Sequence, residues 1–135
     1  MDMTPKAGRL LLAGQEASEV ETLLAMAVML AKAQGRTLQL VGLVTVAPEE
    51  SLSTGALGAR RLREALEPLA RPSGASLAVR VAHDAWAELA LAAAEEPDTL
   101  LLLDAAAPIS AAQVQALLCD VAFSSGATPG RLRRI

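Results

Sequence analysis

An α/β fold is predicted, a three-layer α/β/α sandwich on a five-stranded parallel sheet, and three observations predict it. Strand-like and helix-like stretches alternate strictly along the 135 residues, as crossover connections between parallel strands require. The run Thr99-Leu100-Leu101-Leu102-Leu103 is continuously apolar rather than alternating, which marks a central strand covered on both faces. The chain is 53% hydrophobic, with 29 alanines and 24 leucines, and one domain of this length can bury most of that surface.

The elements follow in order. Arg9-Leu10-Leu11-Leu12-Ala13-Gly14 reads as a short buried strand stopped by glycine. Ser18 and Glu21 have the spacing of a capping box, opening a helix that runs to Gln34 with Gly35 as its C-terminal cap. Residues 36–46, rich in Leu, Val and Thr, form the second strand, closed by Ala47-Pro48-Glu49-Glu50. A polar, glycine-containing loop over 51–58 leads to a helix over 59–70. Leu62, Ala65, Leu66 and Leu69 line one face of this helix, and Arg60/Glu64 and Arg63/Glu67 form i,i+4 pairs on the other. Pro68 lacks an amide donor, so the last turn is expected to kink or fray. Residues 77–82 are the third strand, Asp84 caps a helix that Pro97 stops, and residues 99–103 are the fourth strand. Ser110 and Gln113 form a capping box for a short helix before a fifth strand over 120–124. In such sheets ligands bind beyond the carboxyl ends of the strands, at the switch in strand order. Those ends fall near Gly14, Val46, His83 and Asp104.

Composition excludes several classes. Fifteen acids against twelve bases, a net charge of −3, argue against a nucleic-acid binder, which normally shows a basic face. With Trp86 and Phe123 as the only aromatics, platforms for stacking single-stranded bases are also excluded. The lone Cys119 makes no internal disulfide and reads as a small buried apolar residue. The amino terminus lacks the basic-then-apolar pattern of a signal peptide, and the longest apolar runs fall short of the ~18 residues that span a bilayer. A cytoplasmic chain without membrane insertion is expected.

Three stretches resemble the universal stress protein family, over residues 8–124. Leu10-Leu11-Leu12-Ala13-Gly14-Gln15-Glu16-Ala17-Ser18 looks like the family's first strand and turn. Val79-Arg80-Val81-Ala82-His83-Asp84, with residues 90–96 and Asp98-Thr99-Leu100-Leu101-Leu102-Leu103, is similar to its third strand, helix and fourth strand. Cys119-Asp120-Val121-Ala122-Phe123 looks like the closing strand. The resemblance implies an adenine nucleotide alpha hydrolase-like fold. Ala13-Gly14 in place of the usual Asp-Gly, together with His83-Asp84, is closer to the stress-protein domains appended to the cytoplasmic end of amino-acid permeases. Such domains often come in tandem. Residues 1–125 are accordingly the domain, and residues 126–135 are either a basic tail or the opening of a following copy.

The family's nucleotide-binding members carry Gly-x-x-Gly after the fourth strand, where glycine lets backbone amides reach phosphate. Here that place holds Asp104-Ala105-Ala106-Ala107-Pro108-Ile109-Ser110, which has no glycine, loses one amide donor at Pro108 and carries a repelling carboxylate. The family's acidic residue after the first strand corresponds to Ala13. Gly14, Val44 and Ser110 remain as the wall of a degenerate pocket, so no cofactor is expected and ATP is disfavoured. A free-standing stress protein binding ATP or AMP is the alternative.

Catalysis finds no support. The His83-Asp84 pair has no further His or Cys to complete a metal site and no nucleophile matched to it. The structural reading makes Asp84 a helix cap and His83 a local hydrogen-bonding residue. The first helix is apolar nearly all round: Val20, Leu23, Leu24, Ala27, Val28 and Ala31 form one face, while Ala25, Met26, Met29 and Ala33 populate the other side. Either neighbouring elements cover that side, or Met26 and Met29 belong to a partner surface. The resemblance implies a homodimer, with Phe123 in the fifth strand, a tandem domain or a transporter's cytoplasmic face as the partner. The expected function is a non-enzymatic regulatory or dimerisation module.

Overall fold

The computed structural model describes residues 8–104, 120–124 and 132–134. Its elements are β1 (Arg9–Gly14), α1 (Ala17–Gln34), β2 (Thr37–Thr45), a 3-10 turn (Leu52–Gly55), α2 (Ala56–Ser73), β3 (Ser76–Ala82), α3 (Ala85–Ala94), β4 (Thr99–Asp104), β5 (Asp120–Ser124) and β6 (Leu132–Arg134). The sheet order is β3-β2-β1-β4-β5-β6. The first five strands are mutually parallel, as predicted. Residues 132–134 of the basic tail add an antiparallel sixth strand, with Phe123 opposite Arg133.

Alternate residues of each strand feed two cores. Leu10, Leu12, Leu38, Leu40, Leu100 and Leu102 pack with Val20, Leu23 and Ala27 of α1 and Leu62 and Leu66 of α2. Leu11, Val41, Leu43, Leu101, Leu103 and Val121 pack with Leu89 and Ala93 of α3. Helices on both faces of a parallel sheet give the α/β/α layering, and the continuous leucine run of β4 is buried throughout.

Local chemistry corrects several details. The capping box of α1 is made by Glu16 and Glu19, two residues before the Ser18/Glu21 pair, and Ser18 lies inside the helix. At the other end Gly35 adopts φ 65°, the left-handed cap that a β-carbon disfavours. Helix α2 starts earlier than predicted and runs through Pro68 and Pro72 to Ser73. Both prolines are on its exposed side, where water can satisfy the carbonyls they leave unbonded. The Ser73 hydroxyl donates to the carbonyls of Leu69 (2.9 Å) and Ala70 (3.0 Å), securing the last turn. Among the described residues the ion pair within α2 is Glu67–Arg71 (3.8 Å) rather than Arg60/Glu64 or Arg63/Glu67. It has the favoured order, acid before base. Ala65 is exposed, and Ala70 takes its place on the buried stripe.

The amino end of the sheet is tied by two arginines that the sequence reading did not single out. Arg9 is 5% exposed. Its Nε donates to Thr99 Oγ1 (3.0 Å) and one terminal nitrogen donates to Gln39 Oε1 (2.7 Å). The other terminal nitrogen donates to the Ala92 carbonyl, and Glu96 supplies a carboxylate at 3.5 Å. One side chain thus joins β1, β2, α3 and β4. Arg36 donates to the carbonyls of Asp98 (2.9 Å) and Arg9 (3.3 Å) and pairs with the Asp98 carboxylate (3.3 Å). These contacts hold Asp98 at φ 54°, a left-handed conformation uncommon outside glycine.

Arg9→Ala would leave Thr99, Gln39 and Ala92 short of a buried donor and open a cavity. Urea denaturation is expected to show a loss of about 3 kcal/mol, with Arg9→Lys recovering only part because an ammonium lacks the planar fork.

Candidate functional site at the carboxyl end of the sheet

The order β3-β2-β1-β4-β5 reverses direction between β1 and β4, and the crevice beyond their carboxyl ends is where an open α/β sheet takes ligands. Leu12 stands opposite Leu102 in the register, and the two strands end at Gly14 and Asp104. Helix α1 begins two residues after β1. Its free amides would ordinarily offer an anion site.

Three amides at this end, those of Gln15, Glu16 and Glu19, are taken by the protein's own carboxylates. Glu19 Oε1 accepts hydrogen bonds from the amides of Gln15 (2.9 Å) and Glu16 (3.0 Å). The Glu16 side chain in turn accepts from the Glu19 amide, completing a reciprocal box. Both acids also lie where the positive end of the helix dipole favours negative charge. A phosphate entering here would have to displace two carboxylates and meet their charge.

Gly14 is buried, and a β-carbon on it would lie 3.0 Å from Val20 Cγ2 and 3.2 Å from the Glu16 carbonyl oxygen and Glu19 Cβ. Its glycine therefore serves the close seating of α1 on β1. Val44 is half-buried on the same face of the sheet, packed against the core and close under Gly55 and Gly58. Ser110, the third wall residue, lies outside the described residues, as do the Ala105-Ala106-Ala107 run and Cys119. Asp104 is half-buried at the end of β4.

His83 and Asp84 occupy structural roles. His83 Nδ1 is 3.1 Å from the Val46 carbonyl oxygen, so the ring carries its proton on Nδ1 and donates, stitching the end of β3 to the end of β2. Asp84 Oδ1 accepts from the amides of Trp86 (3.0 Å) and Ala87 (3.2 Å), the cap predicted for α3. Among the described residues no group of three or more His, Cys, Asp or Glu gathers as for a metal ion. No described helix is long and apolar enough to cross a membrane.

The surface residues divide. Met29 is 49% exposed, whereas Met26 is 6% exposed and belongs to the α1–sheet core, which corrects its placement on the outer side of α1. It stands on the flank of the buried stripe, and its long flexible side chain reaches inward. The side chain of Phe123 lies outside the description. The outer edge of its strand is paired with β6 of the same chain.

Sequence reasoning missed a cluster on the α3 side of the sheet. Arg80 Nε contacts Glu88 Oε2 at 2.6 Å, and its terminal nitrogen contacts Glu95 Oε2 at 2.9 Å. Burial works against the arginine's charge, but the hydrogen bonds and charges of Glu88 and Glu95 outweigh it and raise its pKa. The signal was present: Arg80 is the only charge in β3, and Glu88 the only charge in α3.

Glu19→Ala removes the acceptor of two amides and is expected to lower stability by about 1 kcal/mol in urea denaturation. Glu19→Gln, whose amide oxygen accepts the same bonds, should retain most of it.

Comparison of the chain with protein-family models, with curated proteins and with solved structures finds no match.

Proposed function

We propose that this chain is a non-enzymatic regulatory module of the universal-stress-protein type, acting by association rather than by turnover. One observation carries the reading. The α1 amino terminus, at the switch point where a nucleotide phosphate would sit in such a sheet, is closed by Glu16 and Glu19. The closely packed Gly14 agrees with it, since Val20, Glu16 and Glu19 crowd the place where a backbone cradle would open. The absence of glycine from the segment after β4 points the same way. Such a domain keeps the fold's rigidity and loses its usual ligand, which leaves its surfaces as the means of action. The partner is a second domain of the same kind, in a homodimer or in tandem. The likeness to permease-appended domains extends the proposal to attachment at a transporter's cytoplasmic side.

Isothermal titration with Mg·ATP tests the reading. No saturable heat is expected up to about 1 mM nucleotide, a concentration at which even a weak site is half filled. Clear binding in the micromolar range would instead establish the nucleotide-sensing alternative.

A further inference from the structure

The two edges of the sheet differ in kind. One ends on β6, three residues long with the sequence Leu132-Arg133-Arg134. Short length and basic residues are common devices that keep an edge from pairing with another chain. The other edge is β3, which has neither device. It runs for seven residues, contains no proline, and keeps an unbroken register with β2 from Ser76 opposite Gln39 to Ala82 opposite Thr45. Its one charged residue, Arg80, has a side chain only 24% exposed and bound by Glu88 and Glu95, so it does not guard the edge. Among the described residues no strand pairs with the outer side of β3.

We infer that β3 is the edge through which two copies of this chain join, antiparallel about a two-fold axis at Val79, to make one continuous sheet. The inference rests on the proposed association function and names its partner and its surface. The strand is complementary to itself in this register. Leu77 of one copy stands opposite Val81 of the other, and Val79 opposite its own counterpart, giving aliphatic pairs on the α1–α2 side. On the α3 side Ala78 stands opposite Arg80. The small residue leaves room for the guanidinium and its two carboxylates, and no like charges oppose one another. A two-fold contact of this kind repeats each pair twice and closes the assembly as a dimer. Backbone groups on the outer side of β3, which no described strand pairs, supply the ladder, as in other cases of strand addition.

Sedimentation velocity from about 1 μM to about 1 mM chain is expected to show a concentration-dependent dimer. Val79→Lys sets two ammonium groups face to face at the two-fold axis and should raise the dissociation constant about tenfold, whereas Val79→Ile keeps an aliphatic pair there and should not raise it. Circular-dichroism melts at the lowest concentration establish that each variant is folded. Without any variant, amide exchange in residues 76–82 should slow as the concentration rises. A chain that stays monomeric throughout overturns the inference, as do equal effects of the two substitutions or a dimer with unchanged exchange in β3. A dimer indifferent to Val79 removes this edge but leaves the association function standing. Nucleotide binding in the titration above is what removes the latter.

Discussion

Strands β1 and β4 lie side by side at the centre of the sheet, and Leu10, Leu11, Leu12, Leu100, Leu101 and Leu102 are all at or below 1% exposed. Neither strand has a solvent side, so helices must cover both faces of the sheet. Full burial of each leucine is worth about 2 kcal/mol relative to exposure, far more than any single polar contact on the surface. The same pair also sets where chemistry could occur. Since β2 and β3 extend from β1 in one direction and β5 extends from β4 in the other, the fold's ligand crevice opens beyond these two strands.

The two ends of that central pair are treated differently. At the amino end, Arg9 and Arg36 satisfy carbonyls and side chains of four elements, so a buried charge becomes a tie between layers. At the carboxyl end, Glu16 and Glu19 take up three amides at the start of α1, those of Gln15, Glu16 and Glu19. Among the described residues the sheet ends on two edge strands, and β3 is the longer and less guarded of the two.

Much of the fold was legible in the sequence because burial on two faces leaves a plain mark. The leucine run of β4, the Gly35 cap and the Asp84 cap each declare themselves through one residue type at one place. Other features depended on geometry that spacing does not encode. Ser18/Glu21 and Glu16/Glu19 both have the capping-box interval, and only the true start of α1 chooses between them. Met26 sits on the flank of its helix, where a helical wheel cannot decide burial but a flexible side chain can. Pro68 was expected to kink or fray the last turn of α2, yet the helix runs on to Ser73, since on an exposed face a proline removes a bond without burying the freed carbonyl. Arg9 read as an ordinary strand residue, since its partners are 30, 83, 87 and 90 positions away. Of the pocket residues, Gly14 and Val44 stand on one face of the sheet, and the close packing of Gly14 under α1 was not visible from composition.

The closure of the switch point by Glu16 and Glu19 is tested most directly by following backbone amide resonances during addition of pyrophosphate. The account predicts that the amides of Gln15, Glu16 and Glu19 do not move beyond the general effect of ionic strength. A saturable shift confined to these amides would show that the α1 amino terminus accepts a phosphate and would contradict it.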